Sequence, residues 1–217
     1  MNRATHLGNE PFSGARETLA EKAAALLRQR GLMRATELRA EGVTPATLAR
    51  MTEDGRLLRV GRGLYQLADA KVDNQHDLAQ AAKRVPKGVI CLTSALAFHE
   101  LTDQLPRRVW VAIGLRDWAP TVDRPRLRIV RLSERLLSQD VETRLIDGVE
   151  VKLFTAGRSV IDAFRQDKLV GRNLAIESLR EALRQRKATP AALADIAMRV
   201  GAWTKIRPYL EALTADA

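Results

Sequence analysis

The sequence predicts an α+β protein in which helices and a hairpin come first, strands follow, and helices close the chain. Three features of the 217 residues support this prediction. Residues 19–67 combine helical apolar spacing with a short pair of strands. Residues 89–154 contain runs in which apolar and polar side chains alternate, and the residues after 156 show only helical spacing.

The N-terminal segment is predicted to contain three helices and a hairpin. Apolar residues recur at helical spacing from position 19 to 27, a short second helix is expected at 35–41, and a turn and a third helix follow. Two strands are then joined by a glycine-rich turn at 61–63. This order of elements is that of a winged helix-turn-helix, a module that reads DNA.

The third helix has the clearest boundaries. Thr44 can accept a hydrogen bond from a free amide of the first turn, and Pro45 occupies the first helical position, where an N–H is not needed. Gly55 suits the left-handed residue after the last turn. The helix is therefore predicted at 45–54.

The outer face of this helix is expected to enter the major groove. If Leu48 and Met51 pack on the first two helices, Thr47, Arg50 and Asp54 lie on the outer face. Wing arginines beside the helix would contact phosphates. The predicted DNA-binding residues are Thr44, Thr47, Arg50, Arg59 and Arg62.

The same helices and hairpin could instead bind another protein. Glu53 and Asp54, at the end of the third helix, are unfavourable neighbours for phosphate. DNA binding is the favoured interpretation, because the expected surface offers several hydrogen-bond donors and few acids.

Three divisions of the chain are predicted: a flexible tail at 1–14, the winged helix-turn-helix at 15–70, and an α+β domain at 71–217. Strands of the last domain are expected at 89–93, 108–113, 126–132, 141–146 and 149–154. Its helices are expected at 77–85, 94–101, 159–166, 173–187, 190–200 and 204–213.

The formal net charge of +10 predicts polyanionic partners, and most of the excess lies after residue 70. Two basic stripes in the second domain are candidates for a phosphate or partner surface: Arg124, Arg126, Arg128 and Arg131 on and beside a strand, and Arg180, Arg184 and Lys187 on a helix. The helical stripe could equally be an ordinary solvated face, since Glu177 and Glu181 are spaced to pair with its arginines.

Composition argues against several other classes of protein. Aromatic residues make up only 4%, too few for a platform that stacks single-stranded bases. No apolar run is long enough to span a bilayer, no secretory signal is evident, and the single Cys91 cannot form an internal disulfide. A cytoplasmic location without a membrane partner is therefore expected. No metal or other cofactor is expected either, because the histidines lack metal-ligand spacing.

An enzymatic alternative rests on Glu150 and Lys152, which alternate as in the Glu-x-Lys half of a metal-dependent nuclease. Asp123, Asp140 or Asp147 would supply the missing carboxylate. Such alternation is also normal on a half-exposed strand, so a non-enzymatic protein without catalytic residues is favoured. His99 and Cys91 are expected to be packed residues rather than a base and a nucleophile.

Three ordered phrases resemble a known family. The segments at 57–65, 92–104 and 149–164 look like those of the AbiEi antitoxins of bacterial type IV toxin–antitoxin pairs, and the segments at 175–183 and 208–210 fit as well. The resemblance implies an N-terminal winged helix that represses its own operon at inverted repeats. It also implies a C-terminal domain that counteracts a nucleotidyltransferase-like toxin, usually without a stable complex, and it implies no catalytic residues.

A further alternative is a repressor that responds to a small ligand, in which the second domain holds an effector and shifts the winged helix between two states. The scarcity of aromatic residues argues against a deep effector pocket. The antitoxin interpretation is therefore favoured.

Overall fold

A computed structural model describes residues 18–70, 75–121 and 124–215. It confirms the α+β class, with the N-terminal helices and hairpin followed by strands and then by a helical C-terminal part. The proposed tail at 1–14 lies outside the described residues.

The N-terminal part has the expected helices and hairpin, with one additional short strand. Its elements are α1 (Leu19–Arg30), β1 (Met33–Arg34), α2 (Ala35–Ala40), α3 (Pro45–Glu53), β2 (Leu57–Gly61) and β3 (Leu64–Leu67). The three strands form an antiparallel sheet in the order β1-β3-β2. Since β1 contains only two residues, it has no detectable alternation in the sequence.

Local capping explains why these helices begin where they do. Thr18 and Glu21 form a capping box at the start of α1. The Thr44 hydroxyl accepts a hydrogen bond from the backbone N–H of Thr47 at 3.2 Å, as the sequence predicted for α3. Gly55 has a φ of +69°, which is the left-handed conformation expected after α3.

The central part is a mixed five-stranded sheet in the order β6-β5-β4-β8-β7. Its elements, with the helices around them, are α4 (His76–Arg84), β4 (Val89–Ile90), α5 (Leu92–Phe98), β5 (Val109–Gly114), β6 (Leu127–Leu132), α6 (Glu134–Leu137), β7 (Val141–Ile146) and β8 (Val149–Phe154). The pairs β4–β8 and β5–β6 are parallel, whereas β4–β5 and β7–β8 are antiparallel.

The prediction of a strand at 89–93 is wrong after residue 90, because β4 ends at Ile90 and α5 begins at Leu92. Leu92 turns the chain with a φ of +45°. The Ser94 hydroxyl then accepts a hydrogen bond from the backbone N–H of Trp110 at 2.9 Å, which fixes the start of α5 against β5. These contacts come from residues distant in sequence, so apolar spacing alone could not reveal them.

The C-terminal part is helical, as expected, and covers one face of the sheet. Its helices are α7 (Ala156–Arg165), α8 (Asp167–Val170), α9 (Arg172–Arg184), α10 (Pro190–Val200) and α11 (Trp203–Thr214). Their apolar faces form a core with residues of the sheet and of α5. The four-residue helices α6 and α8 were not expected, since they are too short to show a period.

A buried arginine holds α7 against the chain that leads into β7. Arg158 is fully buried, and its Nε donates a hydrogen bond to Asp162 at 3.0 Å. Its terminal nitrogens donate to the carbonyl oxygens of Leu136 and Gln139 at 2.9 and 3.1 Å. The charge is tolerated in the core because it is paired and its donors are satisfied.

Helix α4 connects the winged helix to the sheet. Its apolar residues lie in the same buried cluster as the sheet, and Leu32 and Leu64 of the N-terminal part belong to that cluster too. Lys83 of α4 forms an ion pair with Glu37 of α2 at 2.8 Å, and Arg84 donates a hydrogen bond to the carbonyl oxygen of Arg62 at 2.8 Å.

The turn between β7 and β8 forms a second contact with the winged helix. The backbone N–H of Leu32 donates to the carbonyl oxygen of Asp147 at 3.3 Å. His76, at the start of α4, bonds to the Asp147 carboxylate. The proposed domain boundary at 70/71 is thus crossed by apolar and polar contacts, and independent folding of the two domains stays a prediction. The residues between Ala70 and Gln75 lie outside the described part.

Within the ranges that the structure describes, no helix combines the length and apolar character needed to cross a membrane.

The close approach at Gly31 leads to a stability prediction. Gly31 has a φ of +63°, and a Cβ there would collide with the carbonyl group of Asp147, whereas Gly55 has a similar φ of +69° and nothing within 4 Å of its Cβ position. We expect Gly55→Ala to cost about 1–2 kcal/mol of unfolding free energy from backbone strain alone. Gly31→Ala should cost more than about 3 kcal/mol, because the contact between α1 and the β7–β8 turn must also move.

Urea denaturation of both variants measures this difference. Similar losses for the two alanines would contradict the close contact between the winged helix and the hairpin.

Candidate nucleic-acid interface

The exposed face of α3 differs from the predicted one. Thr47 is only 6% exposed, so its expected place on the outer face is wrong. The physical reason is helical spacing: Thr47 precedes Met51 by four residues and therefore shares its inward side. The residues that α3 exposes are Pro45, Ala46, Ala49, Arg50 and Glu53.

Two predicted residues of α3 keep exposed positions. Thr44 is exposed at the helix start, but its hydroxyl already caps the helix and lies 2.9 Å from the Thr47 hydroxyl. Arg50 is exposed in the last turns of the helix. Between them, Ala46 and Ala49 add little bulk, so the helix backbone can approach a flat or concave partner closely. The sequence contained this signal, because Ala46 and Ala49 lie opposite Leu48 and Met51.

The wing carries the two predicted arginines on its surface. Arg59 lies on β2 and Arg62 in the turn to β3, and both side chains are exposed. The register shifts between Arg59 and Gly61, so a bulge bends the strand just before the turn. Arg84 fixes the turn through its hydrogen bond to the Arg62 carbonyl oxygen. The structure therefore places the wing arginines on a support that includes α4, which sequence spacing could not show.

The strand arginines of the second domain do not form one free basic stripe. Arg124, Arg126 and Arg128 are exposed, but the guanidinium of Arg128 lies over the ring of Trp110, 4.2 Å from its centre. Arg131 donates from Nη1 to three carbonyl oxygens at the end of β5 and in the loop after it, at 2.8 to 3.1 Å. Arg131 therefore has a structural role that holds this loop, and its charge is only partly available to phosphate.

The helical stripe is largely occupied by neighbouring groups. Arg184 donates to the Glu181 carboxylate at 2.9 Å, and this bond, followed by one from Gln185, lowers the pKa of Glu181 to about 2. Lys187 donates to the carbonyl oxygen of His99 and to Glu100. Arg180 is exposed on the same helix. Of the two interpretations of this stripe, a phosphate surface or an ordinary solvated helix face, these pairs favour the second. A role of the stripe in phosphate binding stays a prediction.

The geometry around Glu150 and Lys152 fits a half-exposed strand. Both side chains are exposed on β8, where they alternate with buried Val149, Val151 and Leu153. Two of the proposed third carboxylates have other partners: Asp140 pairs with Arg199 at 2.9 Å, and Asp147 with His76. The other, Asp123, lies outside the described residues. Among the residues with described positions, no group of three or more His, Cys, Asp or Glu could hold a metal ion.

Cys91 and His99 occupy packed positions, as expected. The Cys91 thiol is buried, and burial raises its pKa well above the ordinary value. The His99 ring lies edge-on against Phe98, and its Nε2 donates to the carbonyl oxygen of Phe154 at 2.8 Å. Burial lowers the pKa of His99, so the neutral ring is the favoured form.

The position of His99 leads to a pH prediction. Because its pKa is lower in the folded protein than in the unfolded chain, the unfolded chain binds more protons between the two values, and stability falls as the pH is lowered through this window. We expect His99→Gln, whose amide can still donate to the Phe154 carbonyl oxygen, to reduce the loss of stability between about pH 7 and pH 5. Parallel denaturation series check this, and identical pH dependence in both proteins would refute the assigned burial.

Comparisons with known proteins agree with the fold and with the N-terminal module. The solved structure of the RV2827C protein from Mycobacterium tuberculosis has a TM-score of 0.60 to this chain, at 14% identity, and the alignment covers 94% of this chain and 80% of that one. No curated protein matches the chain. Residues 21–68, which span α1 to β3, match the family described as "Transcriptional regulator, AbiEi antitoxin". This match confirms the predicted resemblance to the AbiEi antitoxins over residues 21–68, and the resemblance of the segments at 92–104 and 149–164 stays a prediction.

Proposed function

We propose that the chain is an antitoxin that binds operator DNA to repress its own operon and counteracts a nucleotidyltransferase-like toxin through its second domain. The observation that carries the DNA-binding part is the exposed α3 with its adjoining basic wing, within the segment that matches a transcriptional regulator. The proposed partners are double-stranded operator DNA and the cognate toxin.

The surface of α3 supports insertion into the major groove. Ala46 and Ala49 leave room for the helix backbone to approach the base edges, and Arg50 supplies two parallel donors of the kind that guanine accepts. Glu53 is an acceptor that can bond to the amino group of cytosine but is unfavourable beside phosphate. The face thus combines the guanidinium donors of Arg50 and the carboxylate acceptor of Glu53 with a small apolar centre.

Two copies of the chain would bind an inverted repeat, one on each half-site. The toxin-directed role rests on the resemblance to the AbiEi antitoxins, and the second domain is its proposed carrier. The buried residues of α3 pack in a cluster that contains no described residue of the second domain, so we expect the two activities to be separable by mutation.

Arg50 gives the most specific test of base reading. We expect Arg50→Ala to weaken binding to the cognate operator by about 1–3 kcal/mol and to leave binding to random duplex almost unchanged. Arg207→Ala, which removes an exposed arginine on α11, is the control for net charge. A titration that shows equal losses on both DNAs would make Arg50 a phosphate contact instead.

The wing is expected to show a different salt signature. If Arg59 contacts a phosphate, Arg59→Ala should weaken binding to all sequences alike and reduce the slope of log K against log salt by about 1. The control Arg207→Ala should keep the slope of the natural protein. An unchanged slope for Arg59→Ala would show that the wing does not touch the backbone.

Toxin counteraction can be separated from repression with the full chain. In cells that express the cognate toxin from an unrelated promoter, Arg50→Ala should protect as well as the natural protein, although it no longer represses an operator reporter. Loss of protection in this variant, at equal protein levels, would contradict the proposed division of roles.

A further inference from the structure

A cleft of about 380 Å³ lies between the wing and the second domain. Four arginines from three separate parts of the chain line it: Arg59, Arg62, Arg84 and Arg124. No carboxylate lines this cleft within the described ranges. Four like charges around one space repel each other, so the cleft favours an anionic occupant.

Arg84 occupies the most constrained position of the four. It ends α4, and its Nη1 donates to the carbonyl oxygen of Arg62 at 2.8 Å. Its guanidinium lies against Gly61, where any Cβ would collide with Nη2. The absence of a side chain at Gly61 thus leaves room for the Arg84 guanidinium against the wing turn.

The guanidinium of Arg84 lies in an unfavourable environment for a cation. Its Nε is buried and has no hydrogen-bond partner among the described residues. Partial burial, together with the nearby charge of Arg34, lowers the pKa of Arg84. A partly buried cation close to other positive charges is unfavourable, and an anion bound in the cleft would offset this repulsion.

We propose that this cleft binds a phosphate group, with Arg84 as its central ligand and Arg59, Arg62 and Arg124 around it. Phosphate fits because an exposed guanidinium such as that of Arg124 can bond to two of its oxygens, and because donors that converge from several directions match a tetrahedral anion better than a flat carboxylate. The phosphate would belong to the DNA backbone beside the wing, which rests on the proposed function, or to a free phosphate compound.

The first arm of the test needs no DNA. Isothermal titration of the full chain with sodium pyrophosphate, at constant ionic strength, should give saturable binding. Binding should weaken about tenfold or more in Arg124→Gln and in Arg84→Gln, since each loses a charge-assisted contact. Gln at position 84 can still donate to the Arg62 carbonyl oxygen, and Arg207→Gln is the matched control that should bind as the natural protein does.

The second arm identifies the source of the phosphate. If it belongs to DNA, Arg124→Gln should reduce the slope of log K against log salt by about 1 on operator and random duplex alike, and Arg207→Gln should not. Pyrophosphate binding with unchanged slopes would support the site but assign it to a free phosphate compound. If the natural protein does not bind the operator, the proposed function is overturned. The titration with pyrophosphate would still test whether the cleft binds phosphate.

The inference is overturned if the natural protein binds no pyrophosphate and Arg124→Gln keeps the salt slope of the natural protein. It is also overturned if Arg207→Gln reproduces the losses of Arg124→Gln, because net charge would then explain them. Arg124 is exposed, so its substitution tests the cleft even if Arg84→Gln fails to fold.

Discussion

The position of α4 between the sheet and the winged helix is the constraint on which the rest of the structure depends. One side of the helix buries apolar residues against β4, β5 and β8, in a cluster that also contains Leu32 and Leu64 of the N-terminal part. Its last two residues, Lys83 and Arg84, bond to α2 and to the wing turn. Because apolar burial supplies most of the stabilisation and the polar bonds supply direction, the winged helix is held in one orientation on the second domain.

This orientation decides which basic groups can act together. The wing turn is supported from behind by Arg84, so Arg59 and Arg62 share a cleft with an arginine that precedes β6. Other arginines of the second domain form their hydrogen bonds within the protein. Arg158 is buried in the core, and Arg131 holds the loop after β5. Net positive charge therefore overstates the surface available to nucleic acid, and the contacts of each guanidinium identify the available part.

Much of the fold could be predicted because local sequence patterns determine where many of its elements begin and end. The hairpin of β7 and β8 and the helix α10 have the expected bounds, since alternation, a turn and a Pro at the helix start mark them in the sequence. The outer face of α3 was partly misassigned, because Thr47 shares the inward side with Met51. Arg59, Arg62 and Arg124 were predicted as candidate phosphate contacts, but the cleft that they form with Arg84 was not predicted. Its residues are far apart in sequence, and only the packing of α4 brings them together.

If α4 fixes the wing, the winged helix and the second domain move as one body on DNA. Spin labels at Thr36→Cys on α2 and Ala191→Cys on α10 would test this directly, since both positions are exposed and the natural Cys91 is buried. Electron–electron distance measurements should give one narrow distance distribution that stays the same when operator DNA is added. A broad distribution in the free protein, or a shift on binding, would contradict this and show that the contacts of α4 do not fix the wing.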